Sequence, residues 1–311
     1  MDMPPGQAFE MGASERFLSN RSAPVELVVD LNSLPRADLR ANGGGDLLDT
    51  LAWQRVFVEA AALDVRRARL LDARFSNEAL NPRASRPRGD LIDLVAHARE
   101  AGLNPCLATF GVGLSTRVMR NLWEAGLADI EIAMGDADAV SADRMAGQRG
   151  AFQRRHALAA EAVRLGLPLA VRFVLCHDKV GGMEAMVDLA LRMKANRVIM
   201  ADVRDDDGLS GPLVGPALPL DQVRRIVDEI ERLRRLHGSR LAIATRLPGL
   251  GKDESTGGQT LAIRATASGE VRLGDDMTSG DGSWNVRDNP LSMIVASMPA
   301  FRFGASTNRE I

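Results

Sequence analysis

The side chains able to do chemistry gather where apolar runs end. Cys176, His177 and Asp178 follow the run Leu169–Leu175 and set a nucleophile, a base and metal-ligand types side by side. Neighbours on an extended chain point to opposite sides, so these three do not form a triad and read as a free thiol beside a loop histidine. Asp205, Asp206 and Asp207 offer the carboxylate oxygens that Mg2+ prefers. With Gly208 they also make a solvated turn, which is the simpler reading. The arginine-rich stretch Arg83–Arg88, with Arg66, Arg67, Arg69 and Arg74 close in sequence, has the forked donors that hold a carboxylate or an acidic peptide; a solvated loop explains it equally well. His97 and His156 fall in helical patterns and read as outer-face residues.

Two of these residue types are limited by number. The chain holds only Cys106 and Cys176, far apart and without metal-ligand spacing, so no site of three or four thiolates assembles from it. It holds no tyrosine, which excludes a tyrosyl radical and a tyrosine acid or base.

The elements that position these residues repeat. Val25–Leu31 is an apolar run of β character, and Leu47–Leu63 has helical spacing rich in Ala and Leu. Strand runs at Arg67–Leu71, Pro105–Ala108, Asp129–Ala133, Leu169–Leu175, Arg197–Ala201 and Arg240–Ala244 alternate with helix patterns at Asp90–Ala101, Ser115–Ala125, Ala151–Leu165, Gly182–Lys194 and Leu220–Leu236. Gly102, Gly126, Gly166 and Gly238 stop four of the helices, and Ser115 caps one. Six or seven βα units in series predict a parallel sheet with right-handed crossovers, curved into a partly closed barrel or laid out as a flat doubly wound sheet. In a barrel, chemistry sits at the C-terminal ends of the strands. That places Asp72, Arg74, Thr109, Asp136, Asp138, Asp202 and Arg204 at the mouth, with Arg172 pointing inward from the fifth strand. After Pro248 the pattern changes: Leu261–Ala265 and Glu270–Leu273 flank a turn as a hairpin, and Pro290 starts a last short helix.

Several of these stretches resemble one family at once. TLAWQRVFVEAAAL, GDLIDLVAHAREAGLNPCLATFGVGLSTRVMRNLWEAGLADIEIAM, ADRMAGQRGAF, LGLPLAVRFVL and ASGEVRL…NVRDNPLSMIVASMPAF are similar to the radical S-adenosylmethionine (SAM) enzymes nearest the pyrroloquinoline quinone maturases, from about Ala23 to Phe301. The resemblance implies an α/β fold, a partial (β/α)6-type TIM-like barrel with a small C-terminal SPASM-like appendage. It divides the chain into a flexible tail over 1–22, a barrel over 23–247 and a degenerate SPASM-like segment over 248–311.

The same resemblance marks where the pattern is broken. Leu31, Pro35 and Asp38 stand where the family has the three cysteines of its [4Fe–4S] loop. Asp72, Ala73, Arg74 and Phe75 stand in place of the turn that holds the methionine end of SAM, where Arg74 sets a cation against the SAM amino group. Ser255 and Gly274 stand where auxiliary-cluster thiolates are expected. The expectations are therefore no catalytic residues, no metal, no [4Fe–4S] cluster and no SAM. What remains is a ligand site at the barrel mouth built from Arg74, Thr109, Arg172, Asp202 and Arg204.

The function so implied is that of a binding or scaffold protein in a peptide-derived cofactor or natural-product pathway. Its partners would be a precursor peptide or a cysteine-complete radical SAM paralogue, met in a homo- or heterodimer. The alternative is an enzyme with repurposed chemistry, its acidic and Arg residues at the mouth working with a divalent ion; residual SAM binding is a third, weaker reading. A net charge of −2 over 311 residues does not call for nucleic acid. No apolar run spans a membrane and no signal pattern opens the chain, so a cytoplasmic location is expected.

Overall fold

The structure, a computed structural model, describes residues 25–31, 47–72, 88–202, 218–219, 222–247, 261–273 and 284–297. Six strand–helix units follow one another. They are β1 (Val25–Asp30) with α1 (Thr50–Ala62), β2 (Arg67–Asp72) with α2 (Leu91–Glu100), and β3 (Asn104–Thr109) with α3 (Thr116–Glu124). Next come β4 (Asp129–Ala133) with α4 (Ala139–Ala146) and α5 (Ala151–Arg164), β5 (Leu169–Leu175) with a 3-10 turn and α6 (Met183–Arg192), and β6 (Arg197–Asp202) with α7 (Val223–His237). β7 (Ala242–Arg246), β8 (Leu261–Thr266), β9 (Val271–Leu273) and α8 (Leu291–Ser297) complete the order.

Among the described residues these strands form one sheet in the order β7-β6-β5-β4-β3-β2-β1-β8-β9, with β7 and β9 at its two edges. It is an open barrel. Strands β1 to β8 run parallel, and only β9 is antiparallel, closing the hairpin with β8. β8 lies beside β1, from Val25 opposite Leu261 to Asp30 opposite Thr266. A segment late in the chain thus extends the main sheet on its first strand.

Strand alternation sorts the core into two faces. Leu27, Val29, Ala68, Leu70, Leu107, Ile130, Ile132, Val171, Phe173, Val198 and Met200 face the helices and pack against Trp53, Phe57, Leu94, Met119, Leu158 and Ile226. The other face is smaller and different in kind. Val28, Leu71, Ala108, Phe110, Ala133 and Ala262 form one apolar group there, and Ala170, Ile199 and Ala244 another.

Local signals set the boundaries. The Asp49 carboxylate accepts from Ala52 N–H at 2.8 Å and starts α1; the Ser115 hydroxyl accepts from Val118 N–H and starts α3. Gly126 ends the α3 turn at φ +97°, where a Cβ would lie 2.6 Å from Arg99 Cγ. Gly126→Ala is therefore expected to cost about 1–2 kcal/mol from the left-handed backbone alone, read as a lowered denaturation midpoint with unchanged slope.

Candidate functional site at the barrel mouth

The inner face of the sheet carries charge in layers. Near the N-terminal ends of the strands, Arg67 donates to Glu26 at 2.9 Å and forks onto both oxygens of Asp129 at 2.7 and 2.8 Å. One layer higher, Arg69 donates to Glu131 at 2.9 and 3.1 Å, and Arg172 Nε donates to the same carboxylate. All three residues of this second group are buried. Burial works to raise the Glu131 pKa, but the guanidiniums of Arg172, Arg69 and Arg246 outweigh it and hold the carboxyl far below the usual carboxylate range. The expected inward position of Arg172 follows from strand parity: it shares its face with Ala170 and Val174, while Phe173 faces the helices.

At the C-terminal ends of β3 and β4 the chain turns off the sheet at Gly111 and Gly135, with φ of +72° and +83°. Helix α5 starts at this end, and Arg155 in its second turn reaches the turns. Arg155 donates from Nε to the carbonyl of Phe110 at 2.9 Å and from Nη1 to that of Met134 at 3.1 Å. Beside it, Lys179 from the 3-10 turn after β5 pairs with Asp136 and donates to Ser141 Oγ at 2.6 Å. Burial works to raise the Asp136 pKa; the hydrogen bonds from Lys179 and Ser141 overcome it and keep the carboxyl ionised.

The residues picked from sequence are placed as follows. Thr109 and Asp72 are buried and meet each other, Thr109 Oγ1 donating to Asp72 Oδ2 at 3.3 Å. Both lie on the helix-facing side, in parity with Leu107 and Leu70. Asp202 is likewise buried in parity with Met200 and accepts from Leu218 N–H at 3.1 Å. So Thr109 and Asp202 are brought together neither with each other nor with Arg172. Asp138 caps α4 by accepting from Ser141 N–H. Cys176 is buried while His177 beside it is exposed, as divergent neighbours should be. Of the arginines near β2, Arg66 pairs with Asp64, Arg67 with Glu26 and Asp129, Arg69 with Glu131, and Arg88 with Asp90, while Arg83 and Arg86 lie outside the described residues. Leu31 is buried beyond the end of β1. Pro35, Asp38, Ala73, Arg74, Phe75, Arg204, Asp205, Asp206, Asp207, Ser255 and Gly274 lie outside the described residues.

Sequence reasoning passed over Glu131 and Arg155. Glu131 carried a usable signal, a charge alternating with Ile130 and Ile132 inside a strand. Arg155 carried none, because its partners come from two distant strand ends. Among the described residues no group of three or more His, Cys, Asp or Glu side chains is arranged to hold a metal ion. No helix among them is long and apolar enough to cross a membrane.

This open parallel barrel is shared with solved structures. Streptococcus suis SuiB bound to S-adenosylmethionine covers 90% of the chain with a TM-score of 0.66 at 14% identity, over 67% of SuiB. SuiB bound to its precursor peptide SuiA covers 99% with a TM-score of 0.68 at 13% identity, over 73% of SuiB. Native anSMEcpe with bound AdoMet and the Cp18Cys peptide covers 92% with a TM-score of 0.61 at 12% identity, over 84% of that chain. The class is thus an open, largely parallel α/β barrel.

In sequence, the PqqA peptide cyclase of Methylocella silvestris is 32% identical over 263 residues, 82% of this chain and 67% of that protein. That of Methylobacterium sp. (strain 4-46) is 32% identical over 265 residues, 82% of this chain and 66% of that protein. The chain belongs to the PqqA peptide cyclase family. It spans about two thirds of the length of these two relatives. No protein-family model matches it.

These relatives correct one expectation. This chain was expected to hold neither a [4Fe–4S] cluster nor SAM, yet SuiB and anSMEcpe, which share its fold, are both seen with SAM bound. The physical reason is that a cysteine count speaks only to groups held by thiolates. A nucleoside carrying an amino acid is held by apolar walls and a few placed polar groups, which cysteines do not supply. The thiolate-held cluster is a separate matter of donor chemistry. Cys106 sits on the inner face of β3 and Cys176 beyond the end of β5, both buried, and burial pushes the Cys106 thiol up, away from the thiolate form. Such a pair does not fit a cluster that needs three or four thiolates in one loop.

Proposed function

We propose that this chain binds a precursor-type peptide at the mouth of its open barrel and serves as a binding partner in a peptide-modification pathway, either presenting that peptide to a cysteine-complete paralogue or pairing with the paralogue directly. The observation that carries this reading is the mismatch between a family barrel kept across six strand–helix units and a cysteine inventory that cannot supply the family's iron loop. Two further points support it. SuiB, of the same fold, has been crystallised with its precursor peptide. The inner-face charges of this chain are paired with one another below the mouth, which leaves the upper, more apolar layer around Leu71, Ala108, Phe110 and Ala133 to meet a ligand.

Gene neighbourhood followed by co-purification is the test. The tagged chain, expressed with a radical SAM paralogue and a short peptide encoded beside its gene, is expected to retain one or both through size exclusion. Elution of the chain alone, with both partners soluble and present, would count against the proposal.

A further inference from the structure

Helix α1 turns an apolar face to solvent. Trp53, Val56, Phe57 and Ala60 are its buried side. The opposite side carries Leu51, Arg55, Val58 and Ala62, all exposed, Leu51 at 72% and Val58 at 55%. Outward faces elsewhere carry charge: Arg154 and Arg164 on α5, Glu184 and Asp188 on α6, Arg224 and Asp228 on α7. Among the described residues seven large hydrophobic side chains are exposed, and four of them gather here: Leu47 leading into α1, Leu51 and Val58 on it, and Met293 on α8. α8 is fastened beside this face, with Glu59 accepting from Leu291 N–H at 2.6 Å and Arg55 donating to the carbonyl of Val286. Apolar side chains concentrated on one exposed helix face mark an interaction surface.

The spacing of the face says what fits it. Residues 51, 55, 58 and 62 step by four, three and four, the d-a-d-a rhythm of a coiled-coil seam. When such a seam meets its own copy antiparallel about a twofold axis, each a position lies across from a d position. Arg55 then faces the partner subunit's Val58, and Leu51 faces the partner subunit's Ala62, so a large side chain meets a small one at each end. Arg55 also comes beside the partner subunit's Glu59 on the edge nearer α8, a pairing of opposite charges. Each of these contacts occurs twice, as an isologous interface requires. Within one chain Arg55 Nε already lies 3.7 Å from Glu59 Oε1, so both groups sit at the seam without rearrangement. A single charged residue at an a position fixes the register of such a pair.

We infer that the outer face of α1, flanked by Met293, is a homodimer interface in which α1 packs antiparallel on α1 of a second copy. The inference goes beyond peptide binding and does not depend on it, since the face lies on the helix layer and not at the barrel mouth.

One helix pair is a small interface, so a dissociation constant of about 10 μM is expected, at the weak end of specific association. Sedimentation velocity of the purified chain from about 1 to 200 μM is expected to show monomer passing into dimer. Val58→Arg sets a cation against Arg55 at two symmetric places and should weaken the dimer about tenfold or more. Val58→Glu presents the opposite charge to the same Arg55 and should hold the dimer within about threefold of the wild type. Position 58 is exposed, and thermal unfolding checks the fold of each variant. A wild type that is still monomeric at the highest concentration overturns the inference. A folded Val58→Arg that dimerises like the wild type also overturns it, because another face then makes the contact. So does a Val58→Glu that loses the dimer as fully as Val58→Arg, because apolar adhesion without the twofold register explains that result. A chain monomeric alone that takes up a cysteine-complete paralogue through Val58 assigns the face to the paralogue and overturns the second copy.

Discussion

Glu131→Ala is expected to destabilise the protein by about 3–5 kcal/mol, the cost of removing one partner from a buried ion group. Glu131 is the carboxylate shared by Arg69 and Arg172 inside the barrel, with a third guanidinium, Arg246, close enough to act on it. Its loss leaves two buried cations facing each other across the sheet. Chemical denaturation with an unchanged slope measures the effect. Replacing the trio together by Arg69→Met, Glu131→Leu and Arg172→Met should recover much of the loss, because desolvation of all three groups is then relieved.

The same carboxylate fixes the pH dependence. Its folded pKa lies below the unfolded value of about 4.3, so its stabilising contribution is fully present above that value and is lost as pH falls toward the folded pKa. The stability gap between the wild type and Glu131→Gln should therefore be flat at neutral pH and close on acidification below about pH 4. A gap that stays constant into strong acid would mean that Glu131 is not ionised against the two arginines.

Trp53→Ala should be of similar size, about 3–5 kcal/mol. Trp53 is fully buried under α1, stacked with Phe57 at a centroid distance of 6.3 Å, and α1 in turn holds α2 and α8. Trp53→Phe should be much milder. The indole Nε1–H is buried without a hydrogen-bond partner among the described residues, so the smaller ring gives up packing volume but also removes a polar group that costs about 1–3 kcal/mol to bury. If the two substitutions cost the same, the indole N–H is hydrogen-bonded in solution.

Much of the architecture was legible in the residues. β4 and β5 run over the residues that alternation and apolar content predicted, because both are bounded by clear turn signals. The alternation of strand and helix patterns predicted six or seven strand–helix units, and six are present among the described residues. The place of β8 could not be read locally, since parallel pairing between Val25–Asp30 and Leu261–Thr266 joins segments with no shared signal. Helix α4 was missed because eight residues under an Asp138 cap give too short a periodic run.

The site was less legible than the fold, and parity explains why. Asp72, Thr109 and Asp202 end their strands, so sequence put them at the mouth. Each is one residue out of phase with the inner face and instead fastens the helix layer, Asp72 to Thr109 and Asp202 to the backbone of Leu218. Arg172, in phase, does face inward, where it pairs with Glu131 below the mouth. Arg155 sits on a helix, and its role depends on carbonyls contributed by residues 110 and 134, a convergence that only the folded chain displays.

The proposed peptide binding is tested most directly by titrating a short precursor-type peptide into the purified chain, by calorimetry or native mass spectrometry. The expected result is a saturable complex of one peptide per chain, formed without added iron. A chain that is folded by its thermal transition yet takes up no peptide, while a cysteine-complete paralogue takes up the same peptide under the same conditions, would contradict it.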